Sequence, residues 1–292
     1  MTTVSAGTYT YDLIKDWAKL PPGEEFAIVS AVATDSQDRV YVFQRKDPPV
    51  VIFDRDGSYL RCWGINAITD PHGIYIENDI VYVTDRADSV CLKFTLDGKP
   101  LQILGTRGVH SDTGCERPLD LPPRSAGPFN YPTELVPAPW GDLYVTDGYR
   151  NSRVHRFAGD GRLIASWGEP GKTEPNQFPL PHSVLVGDDA RVYVCDRENS
   201  RIQVFSAQGE FLAMWTDVQL PTDIARGPDG LFYVSQLASE GRPPRISILD
   251  RDGKVHATWD SRSAHGLWVD SRGDIYLALT QDKSVDKYVR RA

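Results

Sequence analysis

The chain has 292 residues, a formal net charge of −8 and four cysteines. The acidic balance argues against a nucleic-acid partner, because such proteins bind phosphates through basic surface. No apolar run is long enough to span a membrane, and no basic stretch followed by an apolar core marks a signal peptide. The cysteines are scattered without C-x-x-C spacing, as is typical of reduced thiols in a cytoplasmic protein. We therefore expect a cytoplasmic protein without a membrane or nucleic-acid partner; the sequence does not indicate an oligomeric state.

An internal repeat organises the chain, and its six copies begin near residues 30, 71, 131, 181, 221 and 264. Short segments of alternating apolar and polar residues are separated by turns that contain Gly or Asp, a pattern typical of strands. One tyrosine marks the same position in all six copies: Tyr41, Tyr82, Tyr144, Tyr193, Tyr233 and Tyr276. Four short strands repeated six times predict an all-β fold, a six-bladed β-propeller that occupies residues 1–292 as a single domain.

The two ends of the chain are predicted to meet. The sixth copy stops without its outer strand, whereas residues 9–20 precede the first copy and contain Trp17, which resembles the strand endings of other copies. We expect this N-terminal strand to complete the last blade, because an open edge strand invites mispairing.

One long segment interrupts the repeat. Residues 106–130 form a Pro- and Gly-rich insertion between the second and third copies. Such a segment acts either as a lid or specificity element on a rigid scaffold or as a disordered surface loop, and the sequence leaves both interpretations open.

A second repeated position lies at the start of each predicted innermost strand, ten or eleven residues before the shared tyrosine. Small hydroxyl residues alternate there with histidines, in the order Ser30, His72, Thr133, His182, Thr222 and His265. In a ring of six blades, His72, His182 and His265 come from alternate blades and face one axis. Three neutral imidazoles that leave an open side are typical of a catalytic metal site. We expect one divalent metal, with zinc as the default and manganese, iron or cobalt as alternatives.

Charged residues follow the shared tyrosine by four positions in three of the copies. They are Arg45, Arg86 and Arg197, and Tyr149 follows the corresponding Gly148 of the third copy. Guanidinium groups near a metal suit a carboxylate ligand, and positive charge beside Tyr149 favours the tyrosinate, which can act as a base. The alternative is that these arginines pair with Asp85, Asp147 and Asp196 between blades.

Several motifs resemble the peptidyl-α-hydroxyglycine α-amidating lyases, which belong to the NHL-repeat class of propellers. The specific pieces are D-G-Y-R-N-S-R at residues 147–153, L-P-H-S at 180–183, D-R-E-N-S-R-I-Q at 196–203 and P-H-G at 71–73. The resemblance implies that His72, His182 and His265 hold zinc, that Tyr149 is the catalytic base, and that Arg45 and Arg197 engage the substrate. It also implies a reaction, the cleavage of a carbinolamide to an amide and glyoxylate.

The sequence departs from that family at several positions. Gly266 follows His265 where the family has an acidic residue that helps bind a structural calcium, so calcium is left open. Arg86 looks like an additional cation beside the site, which favours a small anionic substrate rather than a secreted peptide. We therefore expect a metal-dependent lyase that acts on an N-(α-hydroxy) acid or a related hydroxylated carboxylate. The alternatives are a metal-dependent hydrolase or hydratase that uses metal-bound water, and a non-catalytic NHL interaction scaffold.

Overall fold

A computed structural model describes residues 2–291, and its regular secondary structure is almost entirely β-strand. The strands are numbered β1–β25 in chain order, and one short 3₁₀ turn spans Arg197–Asn199. Six antiparallel sheets surround a central axis, which confirms the predicted six-bladed propeller. No helix of the described chain is long and apolar enough to cross a lipid bilayer.

The first three blades each have four strands, counted from the axis outwards. Blade 1 contains β3 (Val29–Thr34), β4 (Val40–Gln44), β5 (Val50–Phe53) and β6 (Tyr59–Trp63). Blade 2 contains β7 (Pro71–Glu77), β8 (Ile80–Asp85), β9 (Val90–Thr95) and β10 (Pro100–Leu104). Blade 3 contains β11 (Pro132–Pro137), β12 (Leu143–Asp147), β13 (Arg153–Phe157) and β14 (Leu163–Trp167).

The remaining blades follow the same order, except for the last. Blade 4 contains β15 (Pro181–Val186), β16 (Arg191–Asp196), β17 (Arg201–Ser206) and β18 (Phe211–Trp215). Blade 5 contains β19 (Pro221–Arg226), β20 (Phe232–Gln236), β21 (Arg245–Leu249) and β22 (Val255–Asp260). Blade 6 contains β23 (Gly266–Val269), β24 (Ile275–Leu279) and β25 (Ser284–Arg290), followed outwards by β2 (Tyr9–Ile14) and β1 (Thr2–Ala6).

The N-terminal strand closes the ring, as predicted. Strand β2 pairs antiparallel with β25, and Tyr11 lies opposite Arg290. The sequence did not indicate β1, which adds a fifth strand to this blade by a hairpin turn through Gly7. Arg262 reinforces the closure, since its guanidinium bonds both Asp16, which follows β2, and Asp286 of β25.

The shared tyrosine is buried in all six blades, and its hydroxyl explains a second repeated residue. In four blades that hydroxyl donates to an aspartate in the turn between the first two strands: Tyr41 to Asp35, Tyr193 to Asp189, Tyr233 to Asp229 and Tyr276 to Asp270. A buried phenol needs such a partner, because an unpaired hydroxyl in the core costs about 1–3 kcal/mol.

The tryptophans that end the outer strands pack on a glycine turn of the next blade. A Cβ at Gly98 would lie 2.7 Å from the Trp63 ring, and a Cβ at Gly209 would lie 2.7 Å from the Trp167 ring. Both glycines also have a positive φ, a backbone conformation that residues with a side chain rarely adopt. Trp17 lies in the same way against Gly57, so the segment after β2 takes the place of an outer-strand ending in the interface between blades 6 and 1.

The insertion at residues 106–130 contains no strand, but it is bonded to blade 3. The Leu119 amide donates to the Tyr149 carbonyl (3.0 Å), and the Thr113 hydroxyl donates to the Arg150 carbonyl (2.6 Å). The segment therefore lies beside the residues that directly follow β12. This placement is that of an ordered loop beside the candidate site.

Candidate metal centre and its rim

Six residues at the axial start of the innermost strands form a ring, which we call the slot ring. Five of them are the second residue of their strand, and His265 directly precedes β23. The members are Ser30, His72, Thr133, His182, Thr222 and His265. All are buried except His265, which is half-buried. The repeat thus brings alternate histidines and hydroxyl residues to one level of the axis.

The three histidines converge within the slot ring. One ring nitrogen of each lies within 4.8 Å of those of the others. Ring centroids are separated by 5.0 Å for His72 and His182, 4.6 Å for His72 and His265, and 4.7 Å for His182 and His265. The three alternate blades therefore bring their imidazoles together at the axis.

Each histidine is oriented by the same bond, which joins its Nδ1 to the backbone carbonyl of the next slot residue. The bonds run from His72 to Thr133 (2.7 Å), from His182 to Thr222 (2.6 Å) and from His265 to Ser30 (2.7 Å). A carbonyl can only accept, so Nδ1 carries the proton and Nε2 has a free lone pair. This arrangement presents three Nε2 lone pairs to the axis, which is the form that a metal ligand requires.

Two of the three hydroxyl residues also reach a backbone carbonyl of the next blade. The Thr133 hydroxyl lies 3.0 Å from the Pro181 carbonyl and 3.0 Å from the Thr146 carbonyl of its own blade. The Thr222 hydroxyl lies 3.0 Å from the Ala264 carbonyl and 3.2 Å from the Ser235 carbonyl of its own blade, and each hydroxyl has one proton to donate. Thr133 and Thr222 thus contact the backbone that precedes His182 and His265, a placement that their alternation alone did not reveal.

The sixth link of this hydrogen-bonded ring comes from an arginine. Ser30 donates within its own blade, to the Phe43 carbonyl (3.2 Å). The carbonyl of Pro71, which precedes His72, instead accepts from Arg45 Nε (3.0 Å). Arg45 thus bonds the backbone that directly precedes the first histidine.

Burial keeps the histidines neutral. It lowers the pKa of His72 and His182 well below the usual value, and the other histidines and Arg197 add to the effect. Burial, followed by the charge of Arg45, lowers the pKa of His265 to about 3. All three imidazoles are therefore unprotonated near neutral pH, which is the metal-binding form.

The donor set fits a divalent cation. His72 Nε2 is buried and has no hydrogen-bond partner among residues 2–291. The Nε2 atoms of His182 and His265 lie 3.2 Å apart, although both carry lone pairs. Two facing lone pairs repel each other, and a shared cation would turn that repulsion into coordination. His72, His182 and His265 are accordingly the residues that can hold a metal, and three imidazoles suit zinc.

Tyr149 lies at the edge of this centre. It is buried, and its hydroxyl lies 3.3 Å from His182 Nε2. Its amide donates to the Tyr131 carbonyl (3.3 Å), and its own carbonyl accepts from the insertion. The phenol oxygen is therefore fixed close to any group that also reaches the histidines.

The three arginines lie around Tyr149 and His72. We call Arg45, Arg86, Tyr149 and Arg197 together the rim. Arg86 lies 4.7 Å and Arg197 lies 5.8 Å from the centre of the Tyr149 ring. The charge of Arg45 contributes to the lowered pKa values of all three histidines. The rim thus places positive, largely buried side chains around the three histidines.

The carboxylates that position these arginines are not those considered from the sequence. Asp70 bonds Arg86 Nε (2.8 Å) and approaches Arg45 Nε (3.3 Å), and Glu198 bonds Arg197 Nε (2.8 Å). The expected alternative partners bond elsewhere, Asp85 to Arg107, Asp147 to His155 and Asp196 to Arg201. Asp70 directly precedes the P-H-G motif and Glu198 directly follows Arg197, so adjacency was the only available signal.

Two further carboxylates line the channel one residue beyond the slot ring. Glu134 accepts from the Val184 amide (3.0 Å), and Asp223 accepts from the Ser183 hydroxyl (2.7 Å) and the Leu267 amide (2.7 Å). Burial raises the pKa of Asp223 to about 6, and burial together with Asp223 raises the pKa of Glu134 well above its usual range. These acids come from blades 3 and 5, whereas Gly266 occupies the corresponding position after His265.

Comparisons with known proteins agree with this architecture. The NHL repeat model matches residues 178–205. NHL repeat-containing protein 3 of Homo sapiens is 33% identical over 96% of this chain and 84% of its own length. A probable peptidyl-alpha-hydroxyglycine alpha-amidating lyase of Caenorhabditis elegans is 29% identical over 64% of this chain and 57% of its own length.

A solved structure shows the same fold at low sequence identity. A gluconolactonase of Xanthomonas campestris superposes with a TM-score of 0.69 over 96% of this chain and 90% of its own, at 13% identity. That likeness reflects the shared fold alone. The level and extent of identity to the human relative establish kinship. The chain therefore belongs to the NHL repeat-containing propeller family and resembles its peptidyl-α-hydroxyglycine α-amidating lyases.

Proposed function

We propose that this protein is a metal-dependent lyase that cleaves a small N-(α-hydroxy) acid into an amide and glyoxylate. The observation that carries the proposal is the convergence of three Nε2 atoms, each oriented by a carbonyl on Nδ1, beside the Tyr149 hydroxyl. A propeller that served only as a scaffold would have no need of three neutral, converging imidazoles.

The metal would be held by His72, His182 and His265, and when bound it would act as a Lewis acid toward the substrate hydroxyl. The protein supplies the remaining chemistry. Tyr149 Oη lies 3.3 Å from a ligand nitrogen, within reach of a hydroxyl held at the same centre. Arg86 and Arg197 lie over the faces of its ring and supply the positive charge that a base at this position needs.

The reaction balances with these groups alone. Tyr149 takes the proton of the substrate hydroxyl, the O–H electron pair becomes the second C–O bond of glyoxylate, and the C–N bond breaks. The C–N electron pair stays on the departing amide nitrogen, which receives the proton that Tyr149 took, so the base is restored for the next turnover. No oxidant or reductant is required, and the rim excludes most water from the reacting atoms because its side chains are largely buried.

Arg45 is assigned to the substrate carboxylate. Only its Nε bonds the described chain, at the Pro71 carbonyl and near Asp70, so both Nη groups are left for a ligand. A guanidinium edge presents two parallel donors, which match the two oxygens of a carboxylate. Binding there would place the adjacent hydroxylated carbon near the histidines.

The proposal is tested by product analysis on the metal-loaded protein. We expect N-acetyl-α-hydroxyglycine to give acetamide and glyoxylate in equal amounts, with no activity in His182→Ala. His256→Ala is the matched control, since His256 lies on outer strand β22 and bonds Asp250. Absence of glyoxylate from a protein that holds stoichiometric metal would contradict the lyase. Transfer of ¹⁸O from labelled water into the amide-side product would instead indicate a hydrolase.

A further inference from the structure

We propose that Arg86 forms a second anion-binding position on the rim, so that the natural substrate is a dicarboxylate with an anionic group on its acyl side. The assignment of the first carboxylate to Arg45 rests on the proposed function. The second position is argued from the hydrogen bonds of Arg86, from the charge around it and from the cations and aromatic rings beside it.

Asp70 holds Arg86 by one edge only. Nε and Nη2 of Arg86 both lie 2.8 Å from Asp70 Oδ2, whereas Asp70 Oδ1 lies 3.3 Å from Arg45 Nε. Nη1 of Arg86 has no hydrogen-bond partner within residues 2–291. A single carboxylate therefore orients two guanidinium groups and leaves a free donor on each.

The local charge is not balanced by the protein. Arg197 is paired with Glu198, but Asp70 is the one carboxylate shared by Arg45 and Arg86. Their side chains are only 17–19% exposed, so solvent compensates this charge weakly. A monoanionic ligand at Arg45 would neutralise the single excess positive charge of Arg45, Arg86 and Asp70, but it would leave Arg86 without a ligand.

A third cation extends the same positive region. Arg150 bonds two backbone carbonyls of the insertion, those of Cys115 and Glu116, and so brings a charge without a carboxylate. Arg45, Arg86 and Arg150 against Asp70 give a formal charge of +2, in a chain whose overall charge is −8. A dianionic ligand matches this excess better than a monoanion does.

Cations alternate with aromatic rings in a row of contacts that starts at Tyr149. Arg86 lies 4.7 Å from the Tyr149 ring and 6.0 Å from the Tyr131 ring, and Arg150 lies 5.0 Å from the Tyr131 ring. At one end of this row Tyr149 contacts His182, and at the other end Arg150 bonds the insertion at residues 106–130. An acyl chain that left the reacting carbon in this direction would bring a terminal carboxylate to Arg86.

A binding experiment separates the second position from the chemistry. The probes are N-succinylglycine and N-butyrylglycine, which share their shape and chain length but differ by one carboxylate, and which lack the reactive hydroxyl. Titration calorimetry on the purified protein is expected to show N-succinylglycine binding at least tenfold more tightly. Arg86→Met should bring the ratio of the two dissociation constants within about twofold, because it removes the guanidinium that would hold the second carboxylate.

Two further variants keep the result interpretable. Arg226→Met is the matched control, because Arg226 pairs with Asp188 on a turn outside the rim, and it should keep the wild-type ratio. Arg86→Lys retains the charge without the planar fork and should give an intermediate ratio, which also serves if the methionine variant does not fold. Equal affinity of wild type for both probes, or a ratio that survives in Arg86→Met, would overturn the second position.

The outcome is independent of whether the protein is a lyase. An Arg86-dependent ratio without glyoxylate release from N-succinyl-α-hydroxyglycine would support the dicarboxylate position and contradict the lyase. Conversely, glyoxylate release with equal kcat/KM from the N-succinyl and N-butyryl forms of α-hydroxyglycine would support the lyase and contradict the second position.

Discussion

The slot ring and the rim lie next to each other on the axis but follow different rules. The slot ring is nearly symmetric, since histidines and hydroxyl residues alternate through six blades and all members except Ser30 lie within hydrogen-bond distance of a backbone carbonyl of the next blade. The rim is one-sided, because its charged and phenolic groups come from blades 1–4. At the equivalent positions, blades 5 and 6 have Leu237 and Thr280, and the Thr280 hydroxyl bonds the Val29 carbonyl.

The slot ring and the rim are therefore determined by different features of the sequence. The repeat dictates the slot ring, because any residue at that position faces the axis and a neighbouring carbonyl. The rim depends on single residues at the end of the second strand, so it can change without disturbing the ring. We therefore expect substitutions in the slot ring to affect metal and fold, and substitutions in the rim to affect substrate turnover.

The largest expected effect is in the slot ring. His182→Ala should lose the metal and all measurable activity, because two imidazoles hold a divalent ion much more weakly than three. The measurement is metal content by mass spectrometry alongside glyoxylate release. A variant that kept one ion per chain would show that His182 is not a ligand.

Tyr149→Phe tests the rim, where we expect activity to fall while the metal is retained. We expect metal content and melting temperature to remain, while kcat falls about 10²- to 10⁴-fold, the usual contribution of a general base. Steady-state kinetics with metal analysis of the same preparation checks this. Activity close to wild type would remove Tyr149 from the mechanism.

Arg45→Ala should reduce kcat/KM about 10- to 100-fold for a carboxylated substrate, since it removes charge-assisted bonds worth about 1.5–3 kcal/mol. Because Arg45 also bonds the Pro71 carbonyl, Arg45→Lys is needed as a companion that retains charge and a donor. An unchanged kcat/KM in the alanine variant, measured with metal bound, would refute the carboxylate role.

A hydroxyl of the slot ring should matter for stability more than for chemistry. Thr222→Val removes the donor to the Ala264 carbonyl and should cost about 1–3 kcal/mol of unfolding free energy, whereas Thr222→Ser should cost less. Denaturant unfolding measures the difference. Equal stability of the two variants would mean that the ring bond contributes nothing measurable.

The smallest effect is a pH dependence from the channel carboxylates. Burial and Asp223 raise the pKa of Glu134 in the folded protein, so the folded state retains a proton that the unfolded chain releases. Stability from this group is complete below the unfolded pKa and is lost as the pH rises through the folded one. Glu134→Gln should therefore lose less stability than wild type between pH 5 and pH 8. An equal drop in melting temperature for wild type and Glu134→Gln between the two pH values would contradict this.

The sequence predicted the parts of this molecule that the repeat specifies. The blade number, the ring closure through β2 and the common level of His72, His182 and His265 all follow from spacing, and spacing is visible in the chain. Strand β1 was missed because a hairpin added outside the repeat leaves no periodic signal.

The partners of the arginines could not be predicted in the same way. The bond from Asp70 to Arg86 joins the segment that enters a blade to the end of its second strand, and nothing in the spacing distinguishes it from a bond to Asp85. The hydroxyl bonds of Thr133 and Thr222 cross to another blade, so their acceptors become apparent only when the ring is assembled.

The closure of blade 6 by the N-terminal strand would make this blade sensitive to the ion that we propose. His265 directly precedes the innermost strand of the sheet that β2 completes, so an ion held by all three histidines would favour the closed form of that sheet. At a free ion concentration one hundred times the dissociation constant, such coupling adds about 2.7 kcal/mol against opening. Chelation should then speed amide hydrogen exchange in β2 and β25 before it does so in blades 3 and 4.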